Sequence, residues 1–179
     1  MLAVRRVMSM ILPAWDCVPL HTGVLPQIVW STGVVGFQGP VNILLVDDDP
    51  ADAGLAKKAL QSWKSKNTVY HVDDGDKCLK FLKRQDEFGE APRPNIILLD
   101  LNMPRVSGHE VLKTIRKEEE LRGLVVVVMT TSDSDIDVSL CYSRGANSYI
   151  TKPVEFDRFL EVVCNIEEYW LNTARLPSC

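Results

Sequence analysis

From Val41 onward, five short apolar runs alternate with five helical patterns, and this alternation limits the possible folds more than any other feature of the chain. The runs are "VNILLV", "TVYHV", "NIILLD", "LVVVVMT" and "SYIT". The first, third and fourth are nearly continuous in Val, Ile and Leu, which is how strands buried on both faces read. Strand and helix in strict alternation imply an α/β fold: an open, doubly wound parallel sheet with right-handed crossovers.

The helical patterns carry their own start and stop signals. Asp49 and Pro50 supply an N-cap and a first-turn proline for a helix with Leu55, Ala56, Ala59, Leu60 and Trp63 on one face. "SGHE", Ser107 to Glu110, has the capping-box form and is followed by Val111, Leu112 and Ile115. "SDSD" opens the next helix, which Gly145 can close in the left-handed conformation. The last helix, from about Glu155, places Phe156, Phe159, Leu160, Val163 and Ile166 at three- and four-residue steps. Cys164 falls at a helical position where it is expected buried, as a small hydrophobe.

Three segments follow. Residues 1–40 hold four of the ten prolines and four of the ten glycines but only Arg5, Arg6 and Asp16 among charged residues, and are expected to be a poorly ordered N-terminal extension or an upstream start-site artefact. Residues 41–171 form the domain, and 172–179 a C-terminal tail. Two arginines before an apolar patch at the N-terminus have the outline of an export signal, but Pro13 interrupts the patch early. No apolar run approaches the roughly 20 residues that span a bilayer. The five cysteines form no metal-ligand spacing, and the net charge of −4 is not the footprint of a nucleic-acid binder. The expectation is a cytoplasmic protein with neither nucleic acid nor membrane as partner.

In an open parallel sheet, function gathers beyond the carboxyl ends of the strands. Asp47, Asp48 and Asp49 stand there after the first strand, Asp100 after the third, Thr130, Thr131 and Ser132 after the fourth, and Lys152 with Pro153 after the fifth. Taken singly, an Asp after a strand is a cap, a Thr a turn former and a Lys a solvated charge; Asp49 is read as the cap. The combination suits phosphoryl transfer. Asp100 can act as nucleophile on phosphorus, Asp47 and Asp48 can hold Mg²⁺ through oxygen, and Lys152 and the Thr130 hydroxyl can meet phosphoryl oxygens.

"ILLVDDDP", "IILLDLNMPRVSGHEVL", "VVVVMTTS" and "GANSYITKP", in this order, resemble the receiver domain of two-component response regulators over about residues 41 to 171. The resemblance implies the (βα)5 flavodoxin-like fold with strand order 2-1-3-4-5. It makes Asp100 the phosphoacceptor, Asp47 and Asp48 the acidic pair that positions Mg²⁺, and the Asn102 backbone carbonyl a further metal ligand. Thr130 becomes the switch hydroxyl, Tyr149 its aromatic partner, and Lys152 the phosphoryl contact, joined to Pro153 by a bond that is cis in this family. Thr131 leaves the site open to a phosphodonor, and Asn102 and Ser132 occupy positions that tune acyl-phosphate lifetime.

"KRQDEFGEAPRP" and the ending "FDRFLEVVCNIEEYWLNTARLP" resemble more narrowly the single-domain regulators of bacterial and cyanobacterial phytochrome histidine kinases. A sensor histidine kinase of that type is therefore the expected partner. Output is expected by protein contact or phosphoryl relay, with no separate catalytic or DNA-binding domain. Tyr169, Trp170 and Leu171 suit either a homodimer or partner surface on the last helix or a fold back onto the sheet. A chemotaxis-type receiver, or a relay intermediate with another kinase, stays open. A haloacid-dehalogenase-like phosphatase would need an Asp two residues after the nucleophile, where Asn102 stands. A nucleotide-binding protein would need a glycine-rich turn where "DDDPADAG" stands.

Overall fold

In a computed structural model the chain is described over residues 40–61, 63 and 66–177. The expected N-terminal extension lies outside these residues, apart from Pro40. Strands β1 (Val41–Val46), β2 (Asn67–Val72), β3 (Ile96–Leu99), β4 (Val125–Thr130) and β5 (Ser148–Thr151) form one parallel sheet in the order β2-β1-β3-β4-β5. Helices α1 (Pro50–Gln61), α2 (Gly75–Lys83), α3 (Gly108–Lys117), α4 (Asp135–Ser143) and α5 (Phe156–Glu167) connect and cover it. Fold class and strand order are those expected.

Successive side chains along a strand point to opposite faces, and that rule divides the core in two. Ile43, Leu45, Ile96, Leu98, Val125 and Val127 face α1 and α5, where Ala56, Leu60, Phe159 and Val163 meet them. Leu44, Val46, Ile97, Leu99, Val126 and Val128 face the other way, onto Phe81 of α2, Val111 and Ile115 of α3 and Cys141 of α4. The unbroken Val/Ile/Leu runs are thus the consequence of two apolar layers sharing one sheet. The first layer also takes in Leu171 and Leu176, the latter within the stretch expected as a tail.

Capping follows the local chemistry with one exception. Asp49 Oδ1 accepts from Ala51 N at 2.7 Å and Asp52 N at 3.1 Å, fixing the start of α1. Ser107 caps α3 by accepting from Glu110 N at 3.4 Å, and Gly145 closes α4 at φ 85°. Ser134, however, precedes α4 without a side-chain capping bond, and the Ser132 hydroxyl donates to Asp137 at 2.6 Å.

Two expectations for the C-terminal region are corrected. Phe156 is 50% exposed: it is the first residue of α5, and a helical side chain leans over the preceding turn, of which there is none. Cys164 is exposed too, since it sits one helical step of about 100° past Val163 and rotates off the buried stripe. Among the described residues the buried cysteines are Cys78 and Cys141, whose thiols burial pushes up to about 12 and about 11, leaving them unreactive. At the chain's end, Leu171 folds into the core while Tyr169 stays exposed, edge-on to Trp170 at 5.0 Å, so the two readings of that apolar cluster divide between its residues.

One side chain staples the far end of the sheet. Asn147 Oδ1 accepts from Val126 N and from Arg116 Nη2, both at 2.9 Å, while Arg116 also donates to the carbonyls of Gly145, Arg122 and Leu124. Asn147→Ala leaves a strand amide without its acceptor and is expected to cost about 1.5 kcal/mol, read from the urea midpoint at unchanged m-value.

Candidate functional site

The register of the central strands decides where the charges meet. Val46 lies beside Leu99 and Leu99 beside Val128, so the residues after β1 and β3 emerge side by side at the strand-order reversal. Asp47 N continues the ladder to Val72 O at 3.1 Å, and Asp100 N to Val46 O at 2.9 Å. Both carboxylates are therefore anchored by sheet hydrogen bonds one residue beyond the sheet's last apolar row. Asp47 is 1% exposed and Asp100 6%, whereas Asp48 is exposed.

Carboxylate oxygens of Asp47, Asp48 and Asp100 lie within 4.8 Å of one another. Lys152, entering from the end of β5, places Nζ 2.8 Å from Asp47 Oδ2 and 2.7 Å from Asp100 Oδ2. Burial alone would lower the lysine's affinity for its proton, but the bonds to Asp100 and Asp47 outweigh it and hold the ammonium charged well above the usual range. Burial likewise pushes the Asp47 carboxyl up, Lys152 pulls it back, and the neighbouring Asp100 adds to the rise. Two like charges about 4 Å apart repel by about 4 kcal/mol at an effective dielectric of 20, so one ammonium cannot balance this many carboxylates. An all-oxygen, net-negative cluster of this kind fits a hard divalent cation.

The other expected residues surround the cluster without all entering it. Asn102 is exposed and its backbone amide donates to Asp100 Oδ1 at 3.2 Å. Thr130 is fully buried at the end of β4, and its hydroxyl accepts from Ser132 N at 3.5 Å; Thr131 is exposed beside it. Tyr149 donates from its hydroxyl to the Ser132 carbonyl at 2.9 Å. Ser132 thus bridges Thr130 and Tyr149, and neither hydroxyl is engaged with the carboxylates. The Lys152–Pro153 bond is trans, as are all peptide bonds among the described residues, which corrects the cis expectation. Trans is the favoured isomer even before proline, by about 0.5–1 kcal/mol, and Lys152 reaches both carboxylates in it.

Several contributors were not foreseen. Asp52, on the first turn of α1, also reaches Lys152, Oδ2 to Nζ at 3.0 Å. The sequence offered only a first-turn acidic residue, indistinguishable from one that serves the helix dipole. Behind Asp47, Lys57 Nζ lies 3.0 Å from His71 Nδ1, and His71 Nε2 3.0 Å from the Asp47 carbonyl. An ammonium has no lone pair, so Nδ1 accepts and the proton sits on Nε2, donated to Asp47. The alternation of β2 could have placed His71 on one face but not its partner.

The β3–α3 loop is held from two sides. Arg105, in the left-handed region at φ 64°, pairs with the buried Asp74, which also caps α2. Left-handed backbone at a non-glycine residue costs on the order of 1 kcal/mol, which the charged pairing to a buried carboxylate offsets. Gly108 lets the start of α3 lie directly on the Asp100 carbonyl, and Gly75 lets α2 lie on Val106 O.

Against known proteins, the model of the response regulator receiver domain matches residues 43–164, well over half of the chain. The response regulator Rcp1 of Synechocystis sp. is 39% identical over 139 residues, 78% of this chain and 95% of the relative. The probable methanogenesis regulatory protein FilR2 of Methanothrix harundinacea is 41% identical over 148 residues, 83% of this chain and 95% of the relative. Among solved structures, the Mn²⁺-bound form of Rcp1 aligns with a TM-score of 0.74 over 78% of this chain and all of the other, at 39% identity. The phosphorylated cyanobacterial phytochrome response regulator RcpA aligns with a TM-score of 0.76 and 38% identity over the same shares. Fold, family match and the identity of these relatives agree: the chain belongs to the response regulator receiver domain family of two-component signalling.

Proposed function

We propose that the chain is a single-domain phosphoacceptor of a two-component phosphorelay, taking a phosphoryl group from a sensor histidine kinase onto Asp100 in the presence of Mg²⁺. The observation that carries this is the Asp47, Asp48 and Asp100 cluster closed by the Lys152 ammonium at a strand-order reversal. A carboxylate oxygen of Asp100 attacks phosphorus; the P–N bond of a phosphohistidine breaks, its electron pair leaving with the imidazole, and an aspartyl phosphate remains. Little bond-making chemistry is left for the protein beyond positioning and charge. Bound Mg²⁺, held by Asp47, Asp48, Asp100 and the Asn102 carbonyl, would neutralise charge on the transferred group. Lys152 and Thr130 would hold the phosphoryl oxygens, Thr131 would leave the entrance open, and Tyr149 would follow Thr130 through their shared contact with Ser132.

In this reading the protein is an acceptor rather than a turnover enzyme and acts in the cytoplasm. Among the described residues no helix is long and apolar enough to cross a membrane. The similarity to Rcp1 and RcpA over nearly their whole lengths supports a phytochrome-type kinase and a single-domain output through protein contact, with the exposed Tyr169 at the end of the last helix as part of a homodimer or partner surface. The equal likeness to FilR2 supports a second reading, the same chemistry under a different kinase.

Phosphotransfer from each histidine kinase of the host, followed by intact mass, separates the two, and absence of phosphoryl gain from every kinase and from acetyl phosphate with Mg²⁺ rejects both. Asp48 supplies an exposed, dedicated carboxylate to the cluster, so Asp48→Ala is expected to weaken Mg²⁺ binding on the order of tenfold by calorimetry, with the fold intact. Unchanged affinity would remove Asp48 from the metal site.

A further inference from the structure

The Lys152 ammonium has three N–H donors and three carboxylate partners: Asp100 at 2.7 Å, Asp47 at 2.8 Å and Asp52 at 3.0 Å. Two of those partners are claimed twice. Asp47 and Asp100 belong, with Asp48, to the cluster whose oxygens converge within 4.8 Å, and Asp52 does not. On the reading above, a cation seated in that cluster draws on oxygens the ammonium already occupies, and the incoming phosphoryl group draws on Asp100 again. Lys152's side chain is only 4% exposed, and an ammonium stripped of its partners at that depth is strongly disfavoured.

Asp52 resolves the conflict by its place in the fold. It comes from α1 rather than from a strand end, and its side chain is 35% exposed against 2% for Asp47 and 7% for Asp100. Its backbone is clamped, because Asp49 Oδ1 accepts from Asp52 N, and the helix phase is set by the burial of Ala53 and Ala56 beside it. A cleft of about 360 Å³, lined in part by Asp52, Leu55, Thr131 and Lys152, opens at this edge, so the ammonium can shift toward Asp52 without leaving the site.

We infer that Asp52 is a positioning residue for Lys152. It keeps the ammonium paired at the edge of the site when Asp47 and Asp100 are taken up, so that a divalent cation enters without expelling the lysine and the lysine stays within reach of the phosphoryl group. The inference rests on the phosphoacceptor reading, and the role is one that neither the metal ligands nor the acceptor can fill, since both are committed.

The test is a double-mutant cycle read by Mg²⁺ calorimetry at fixed ionic strength on wild type, Asp52→Asn, Lys152→Met and the double variant. Asp52→Asn is expected to weaken Mg²⁺ binding about fivefold, and the same change in the Lys152→Met background less than about twofold, because no ammonium is left to position. Asp52→Glu, still able to reach Nζ, should come within about twofold of wild type, with the urea midpoints of both Asp52 single variants unchanged. Equal losses in both backgrounds would make Asp52 a mere nearby charge, and no loss in either would remove it altogether; both overturn the inference. If Lys152→Met does not fold, the initial rate of phosphorylation by acetyl phosphate at saturating Mg²⁺ decides: a fall of about fivefold in Asp52→Asn supports the role, and an unchanged rate overturns it. Wild type that binds no Mg²⁺ brings down the phosphoacceptor reading and this inference together, whereas wild type that binds it beside an unresponsive Asp52→Asn brings down the inference alone.

Discussion

Asp100→Asn is expected to take up no phosphoryl group from acetyl phosphate and Mg²⁺, whereas wild type is expected to gain one per chain, as read by intact mass. The amide has lost the anionic oxygen that attacks phosphorus, and no neighbour is placed to substitute. Asp47 is equally buried, and in the proposed reading Asp47 and Asp48 are the residues that hold the cation. An isosteric amide keeps the Asn102 contact and the packing, so the expected change in stability is small beside the loss of acceptance. Stoichiometric uptake by the variant would show the acceptor to be another residue, and the assignment of Asp100 would fall.

Gly108→Ala is expected to be the most damaging methyl group that can be added near the site. A Cβ there would run into the Asp100 carbonyl oxygen and come within 2.8 Å of the Leu101 Cα, and neither is the movable end of a side chain. Backbone must shift, and overpacking of this kind costs about 3 kcal/mol. Because the displaced backbone is that of Asp100, the proposed acceptor, the Mg²⁺ affinity should fall together with the urea midpoint. Gly54→Ala is the matched control. In the middle of α1, with nothing within 4 Å of the new carbon, it should stabilise by about 0.5–1 kcal/mol through helix propensity. A Gly108→Ala protein as stable as wild type would mean that α3 does not rest on the end of β3 as described.

The strands and the charged strand ends were legible because both answer to local rules. Val126 and Val127 face different helices but are both apolar, so a parallel sheet announces itself as an unbroken run. Asp47, Asp100, Thr130 and Lys152 each end a run, and a doubly wound sheet sends such ends to one edge. What was not legible depends on angles and reach. Asp52 and Cys164 both sit on helices whose buried stripe could be guessed to within a residue or two, yet one residue turns the side chain by about 100°, enough to bring Asp52 to the lysine and to carry Cys164 into solvent. Arg105 and Asp74 come from different loops with no pattern joining them, and only the close approach permitted by Gly75 and Gly108 brings those loops together. Phe156 failed for a simpler reason: a periodic stripe does not say where its first buried turn lies.

The bond from Lys152 to Asp47 joins residues 105 positions apart, and that from Lys152 to Asp100 residues 52 apart. A chain made from its N-terminus therefore exposes Asp47 and Asp48 long before their countercharge exists, and β1 itself waits for β3 before its second edge is paired. The carboxylates are thus a source of repulsion in every incomplete chain and a source of cohesion only in the finished one. The proposed acceptor site is assembled last, by the segment that ends in β5, so a truncated or half-made protein would offer a passing phosphodonor a cluster of like charges and no lysine to receive it.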